Sequence, residues 1–526
     1  MATISAISPL DGRVLGAYAT TTQAQIDQRL AAAHEAGKVW SALPVRQRLQ
    51  KLAPLRDVLL SETDVIVDCI RQATGKVATD ALLGDIYPVL DLLAFYRKHA
   101  TKILAGYGVW TSPLSFPAAT ARVERKPFGV VAVIAPWNYP LQLALAPMLT
   151  ALIAGNAVIL KPSELALPVG ALIIELLARL DLPPGLVQWA VGGGEVGAWL
   201  IDAGPDLVFF TGGSQAGRAV MQRAAQHPLP VLLELGGKDA MLVLADADLL
   251  RAANAALYGA FGNSGQVCVA VERLYVQRDC FDRMLPLLLE GMAKLEVGPG
   301  DDADLGAMTS EQQIAVVKAH YEDALAQGAQ ASGPLLIDGR FVKPVLLWNV
   351  HHGMRVMREE TFGPLLPVMA FDSDADAITL ANDNEFGLNA SVWSRDIAKA
   401  ERVARQLQVG NWAVNDVIKN IGHPGLPFGG VRRSGVGRYH GAEGLLGMSY
   451  PVSGLTNRSR LPREPNWLPY SAAGYRSLKS YIDFVHGSGP GWQRLVRNRE
   501  ALMAFREFGS IDLRQYWHNF KTLISK

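Results

Sequence analysis

The sequence predicts a doubly wound α/β protein of two or three domains, and three observations carry that prediction. The chain has 526 residues, too many for a single hydrophobic core. Val130-Val131-Ala132-Val133-Ile134 is an unbroken apolar run, as in a parallel strand covered on both faces. It opens an alternation of short apolar runs with segments of helical periodicity, and that βαβ rhythm marks the doubly wound class.

Taken in order, residues 22–100 read as helices, because apolar side chains recur three and four apart at Leu49, Leu52, Leu55 and Leu59 and again at Ile66, Cys69 and Ile70. A β stretch rich in Ser, Thr and Pro covers 109–124. After the first buried strand, 144–152 reads as helix, 157–160 as strand and 169–180 as helix, with further strands at 207–210 and 231–233. A second α/β pattern spans 240–431, with strands at 241–244, 273–276 and 411–414. The composition changes near residue 455. From there to the end lie eleven of the 41 aromatics, and twelve Lys or Arg against five Asp or Glu.

Bulk composition excludes several classes. A net charge of +1 leaves the molecule without a nucleic-acid footprint. Three cysteines (Cys69, Cys268, Cys280) are too few for a disulfide framework and suit a reducing compartment. The N-terminus lacks a basic segment followed by an apolar core, and no apolar stretch reaches the length of a membrane span. A soluble cytoplasmic protein is expected.

Cys268 closes the run Gly262-Asn263-Ser264-Gly265-Gln266-Val267-Cys268, 34 residues after Glu234 in Glu234-Leu235-Gly236-Gly237-Lys238. A lone cysteine is commonly a small buried apolar residue, and a strand-end glutamate is commonly solvated. Together they form a candidate nucleophile and base, with glycines that let a substrate approach. Cys69 and Cys280 lack such a setting and read as structural. Gly192-Gly193-Gly194-Glu195-Val196-Gly197 has the dinucleotide spacing, but it is set aside because no strong strand-to-helix unit with an acidic residue about 20 positions on accompanies it. The motifs contain no metal-ligating set.

Pro136-Trp137-Asn138-Tyr139-Pro140, Lys161-Pro162-Ser163-Glu164, Phe210-Thr211-Gly212, Glu234-Leu235-Gly236-Gly237-Lys238, Gly265-Gln266-Val267-Cys268, Glu360-Thr361-Phe362-Gly363-Pro364 and Pro427-Phe428-Gly429-Gly430 occur in an order that resembles the NAD(P)-dependent aldehyde dehydrogenases over about residues 8–452. Val414-Asn415-Asp416 and the short N-terminus are most similar to the class holding the fatty and aromatic aldehyde dehydrogenases. The resemblance implies a Rossmann-type cofactor domain (1–108 and 125–233), an α/β catalytic domain (234–440) and a β-hairpin oligomerisation element (109–124 and 441–454). A C-terminal extension (455–526) lies beyond it.

The same resemblance implies roles for individual residues. Cys268 forms the thiohemiacetal, Asn138 and the Cys268 amide hold the oxyanion, and Glu234 activates the hydrolytic water. Trp137, Lys161, Ser163, Glu164, Gly212, Ser214, Gly217, Glu360 and Phe362 bind the cofactor. Glu164 favours NAD over NADP by accepting ribose hydroxyls and repelling a 2′-phosphate, a preference Lys161 could soften. Gly213 stands where many relatives have serine. On the residues alone, Asn138 also reads as a turn residue and Phe362 as core packing.

The expected reaction is NAD-dependent oxidation of an aldehyde to an acid. The alternatives are a CoA-acylating enzyme, which typically lacks the glutamate, a succinate-semialdehyde-type enzyme, and a non-catalytic relative. Apolar positions near the expected tunnel, Tyr139, Leu143, Ala146, Val267, Val269 and Ile421, favour aliphatic or aromatic aldehydes. The hairpin at 109–124, paired with 447–452, implies a homodimer or a dimer of dimers. For the tail, aromatics scattered through loops with Pro462, Pro465, Pro469, Gly487, Gly489 and Gly491 favour docking on the enzyme body over peripheral membrane contact.

Overall fold

The computed structural model describes residues 2–112, 116, 118–464 and 466–499. The chain divides into two compact units, one of residues 1–104 with 126–450, the other of 105–125 with 451 onward. Residues 441–450, expected with the oligomerisation element, thus fall in the first unit.

The first unit holds two large sheets. In one, five parallel strands lie in the order Val187–Trp189, Ala157–Lys161, Val130–Ile134, Leu207–Thr211 and Val231–Glu234, and Gly435–Val436 adds antiparallel at the far edge. Numbered along the chain, the parallel strands run 3-2-1-4-5, the doubly wound order. Every residue of Val130–Ile134 and Ala157–Lys161 is buried, which explains their unbroken apolar runs. The order reverses between Val130–Ile134 and Leu207–Thr211, so the loops leaving these two strands flank a crevice at the carboxyl edge.

The second sheet has seven strands in the order Gln330–Ala331, Val345–Trp348, Leu365–Phe371, Val271–Gln277, Asp239–Val243, Asn389–Trp393 and Asn411–Val414. The chain crosses between sheets at residues 235–238 and returns to the first at Gly435.

Ahead of the sheets, helices Gln23–Ser41, Val45–Leu52, Leu55–Ser61, Thr63–Thr74 and Tyr87–Ile103 pack Leu52, Leu55, Leu59, Ile66 and Ile70 into the first core. Thr22 and Gln25 start the first of them as a reciprocal capping box. Pro54 divides the leucine run into two helices, because proline cannot continue the preceding turn.

A three-stranded sheet has Ala119–Pro127 between Tyr107–Val109 and Ser449–Asn457, most of it in the second unit. The part of the expected hairpin at residues 113–115 and 117 lies outside the described residues, as do the tail aromatics Phe505, Phe508, Tyr516, Trp517 and Phe520. The tail departs from the loop-rich reading, because Ala472–His486 is a 15-residue helix and Gly491–Arg497 a second, shorter one. Ser471 starts the first by accepting the Gly474 amide at 3.0 Å, a local cap that outweighs the neighbouring prolines and glycines. Among the described residues, no helix is long and apolar enough to cross a membrane.

Candidate active site

Helix Leu249–Phe261 ends in a tight turn in which Asn263, Ser264 and Gly265 all have positive φ (50°, 56° and 74°). Only glycine serves at 265, since a Cβ there would overlap the Gly363 carbonyl. The turn delivers Cys268 half-buried between Val267 (4% exposed) and Val269 (1%), both of which anchor in the core. Burial pushes the thiol above its usual range, and the carboxylates of Asp239, Glu360 and Glu234 push the same way, while its own backbone amide opposes them. Three carboxylates therefore converge electrostatically on one sulfur. Burial is also the main cause that lifts Cys69 to about 12, with Asp68 and Glu175 adding to it, and that raises Cys280, where Arg283 opposes.

Asn138 sits in the loop after strand Val130–Ile134 and is buried. Its Nδ2 donates to the Gln266 carbonyl at 3.0 Å, two residues before Cys268. An amide NH2 has two hydrogens, so this bond orients the group and leaves the second for an oxyanion. The Asn138 carbonyl in turn accepts from Lys76 Nζ at 2.7 Å and from Asn263 Nδ2 at 3.2 Å. Lys76 is fully buried, pairs with equally buried Asp85 at 2.8 Å and lies 3.9 Å from the Tyr139 ring centroid. Asp85 also accepts the Leu141 and Gln142 amides, fixing the start of helix Gln142–Ala154. Asn138→Ala should lower kcat by about 100- to 1000-fold with little change in thermal stability. Steady-state kinetics and a melting curve check this; a normal kcat would remove Asn138 from the oxyanion site.

Glu234 ends the last parallel strand, where its carbonyl accepts the Gly212 amide at 3.0 Å. The side chain is 6% exposed, and Oε2 has no hydrogen-bond partner among the described residues. Burial raises its pKa well above the ordinary carboxylate range, with Arg438 opposing. A Cβ at Gly429 would come within 3.0 Å of Oε1, so glycine there keeps the carboxylate approachable.

Glu360 lies over Gly236 and Gly237. It accepts the Gly237 amide at 3.1 Å, and a Cβ on Gly236 would overlap its carboxylate. Burial, then the nearby Glu272, push its pKa up to about 8. Sequence reasoning missed the pair that holds this loop. Lys238 Nζ meets Glu272 at 2.5 Å in the core, and Glu272 accepts the Thr361 and Phe362 amides at 2.8 Å each. These bonds hold Phe362 at φ 50°, a strained value for a phenylalanine, with its ring edge-on to Trp137 at 5.6 Å.

At the end of the strand next to Val130–Ile134, Lys161 is buried, with Nζ 3.3 Å from the exposed Glu164 carboxylate; burial lowers the Lys161 pKa and Glu164 opposes. Ser163 Oγ caps the turn Glu164–Ala166 by accepting the Leu165 amide. Helix Ser214–Ala224 begins after Gly213, which provides no side-chain cap. Gly217 packs where a Cβ would overlap Leu235, and Ser214 Oγ donates to the Arg433 carbonyl at 3.3 Å.

Two expectations need correction. A strand and helix, Val187–Trp189 and Gly194–Asp202, do flank the Gly192–Gly197 run, so its exclusion cannot rest on their absence. It rests on topology: that strand is the sheet edge, not the point of reversal. Of the tunnel positions, Ala146, Val267 and Val269 are core residues, and only Tyr139, Leu143 and Ile421 remain partly exposed.

Asn138, in the loop after Val130–Ile134, and Glu234, ending Val231–Glu234, lie at the carboxyl edge of the doubly wound sheet, and Asn138 is bonded to the turn that carries Cys268. The sequence pattern of the aldehyde dehydrogenase family matches residues 1–452. The chain is 66% identical over 525 residues to a 4,4'-diapolycopene aldehyde oxidase of a Methylomonas species, covering 100% of this chain and 99% of the relative. Among solved structures, it resembles betaine aldehyde dehydrogenase from Staphylococcus aureus in complex with NAD+ (30% identity, TM-score 0.83, 89% of this chain and 94% of the other). It also resembles the NADP-dependent glyceraldehyde-3-phosphate dehydrogenase from Bacillus halodurans C-125 complexed with NADP (33% identity, TM-score 0.81, 87% and 96%). The chain belongs to the aldehyde dehydrogenase family and is an aldehyde-oxidising oxidoreductase.

Proposed function

We propose that the protein oxidises a long apolar aldehyde to its carboxylic acid, with the acyl group carried on Cys268. The observation that supports this reading best is the half-buried Cys268 on a turn bonded to Asn138 Nδ2, together with buried Glu234, whose Oε2 has no hydrogen-bond partner among the described residues. The Cys268 thiol gives up its proton to water, its sulfur bonds to the carbonyl carbon as the C=O π bond breaks, and the oxygen becomes an alkoxide facing Asn138 Nδ2 and the Cys268 amide. A bound nicotinamide dinucleotide supplies the hydride acceptor. Loss of hydride leaves a thioester; Glu234 then takes a proton from water, the hydroxide attacks, and the carbon–sulfur bond breaks to return the thiolate. Glu234 argues against release of the acyl group to CoA.

The cradle fits such a cofactor. The strand order opens a crevice at the right edge, Gly236 and Gly237 leave room for Glu360, and helix Ser214–Ala224 starts without a side-chain cap on its first amides. Gly212, Ser214 and Gly217 would take the pyrophosphate, Lys161, Ser163 and Glu164 the adenosine ribose, Glu360 the nicotinamide ribose, and Trp137 and Phe362 the ring. The exposed Glu164 carboxylate disfavours a 2′-phosphate, so we read NAD as preferred to NADP. A cytoplasmic homodimer built through the sheet around Ala119–Pro127 completes the proposal.

The substrate class follows the relative named for 4,4'-diapolycopene aldehyde, a long conjugated aldehyde, whose match spans the whole chain. Partly exposed Tyr139, Leu143 and Ile421 suit such a chain, and none is an arginine that would pair with a second carboxylate. A panel scored by kcat/KM, read as NADH formation, tests this. Long conjugated and aliphatic aldehydes should exceed succinate semialdehyde by about tenfold or more. Equal or better use of succinate semialdehyde contradicts the assignment.

A further inference from the structure

We propose that residues 466–499 form a surface that seats the enzyme on an anionic lipid bilayer. The proposal rests on the reading above, because a long apolar aldehyde is a substrate that a bilayer holds and water does not. The segment lies beyond residue 452, where the family pattern ends, and inside the span shared with the 4,4'-diapolycopene aldehyde oxidase.

Three features of the segment itself point to lipid. Its large apolar side chains stand in water: Tyr470 is 74% exposed, Tyr475 68%, Trp492 67%, Ile482 60% and Trp467 54%. Tryptophan and tyrosine with an apolar body and a polar tip settle at headgroup depth. Second, on helix Ala472–His486 the exposed Tyr475, Lys479 and Ile482 follow one another at i, i+4 and i+7, one stripe that would lie in the plane of an interface. Lys479 can extend its ammonium past the rings to phosphate. Third, residues 466–499 contain five Lys or Arg and one Asp or Glu. That acid, Asp483, is consumed inside the segment, accepting from Arg497 at 2.7 and 2.8 Å and from Asn498 at 2.6 Å, which ties the two helices together. Arg476 and Lys479 carry no ion pair among the described residues.

This charge chooses between occupants. A second copy would set the same cations against themselves across a two-fold axis, whereas an anionic bilayer neutralises them and accepts the aromatics. At 15 residues, the longer helix lies on a membrane and does not cross it.

The test is sedimentation of the full-length enzyme with phosphatidylcholine vesicles, with and without about one third phosphatidylglycerol, alongside light scattering and a melting curve. The wild type should sediment with the anionic vesicles and be released by about 0.5 M salt. The triple variant Trp467→Ser, Tyr475→Ser, Trp492→Ser should lose vesicle binding by about tenfold or more. Arg476→Glu with Lys479→Glu should abolish the preference for anionic lipid. Both variants should oxidise a short water-soluble aldehyde at the wild-type rate. Absence of sedimentation by the wild type overturns the proposal. So does a triple variant that binds vesicles normally but changes mass or melting temperature, which would assign the surface to a partner subunit. Vesicle binding is read without turnover, so a wild type that binds vesicles but does not oxidise a long conjugated aldehyde overturns the substrate reading alone.

Discussion

Replacing Cys268 with alanine should lower turnover by about 10⁴-fold or more while leaving dinucleotide affinity close to wild type. The size follows from the chemistry. Hydride leaves a tetrahedral alkoxide readily and a planar carbonyl carbon poorly, and without sulfur no group here makes that carbon tetrahedral. The fold should survive, because Cys268 is half-buried and its flanking valines, not the thiol, fill the core. Steady-state kinetics with fluorescence titration of the cofactor check both halves. A variant that keeps more than a few per cent of activity would show that Cys268 is not the nucleophile.

The second large effect belongs to Glu234→Gln. Glutamine keeps the shape but cannot take a proton from water, so hydrolysis should slow by about 10²- to 10⁴-fold. Acylation precedes the water step, so a stopped-flow burst of NADH approaching one per active site should persist while later turnover nearly stops. pH adds an independent readout. The wild-type hydrolytic rate should rise with pH as the carboxyl loses its proton, and burial places that limb above the ordinary carboxylate range. The variant should lack the limb. Loss of the burst together with turnover would assign Glu234 to the first step instead.

Much of the fold and site is legible in the sequence, for reasons that differ by element. The buried parallel strands announce themselves because both faces are covered, so their apolar runs have no polar interruption. Leu365–Phe371 and Asn389–Trp393 do not stand out in the same way, because Pro367 and Asn389 break their apolar pattern. The motif residues are visible as motifs, but what holds them is not. Lys76 supports Asn138 from 62 positions away, and Glu272 clasps a loop about 90 residues on. No local periodicity encodes such a pairing. Lys238 is in view as part of Glu-Leu-Gly-Gly-Lys, yet its buried partner appears only once the sheets assemble. Apolar neighbours of Cys268 suggest a wider tunnel lining than exists for a related reason: Val267 and Val269 turn into the core and only Cys268 between them stays partly exposed. The tail helix is obscured by flanking prolines and glycines that bound it without entering it.

The covalent step can be seen directly. Glu234→Gln, mixed with NAD and an aldehyde and quenched in acid after the burst, should gain in intact mass the aldehyde less two hydrogens, and peptide mapping should place the addition on Cys268. The Cys268→Ala, Glu234→Gln double variant should gain nothing. NADH released by Glu234→Gln with no mass added to the protein, or an adduct mapped to any other residue, would contradict a thioester on Cys268.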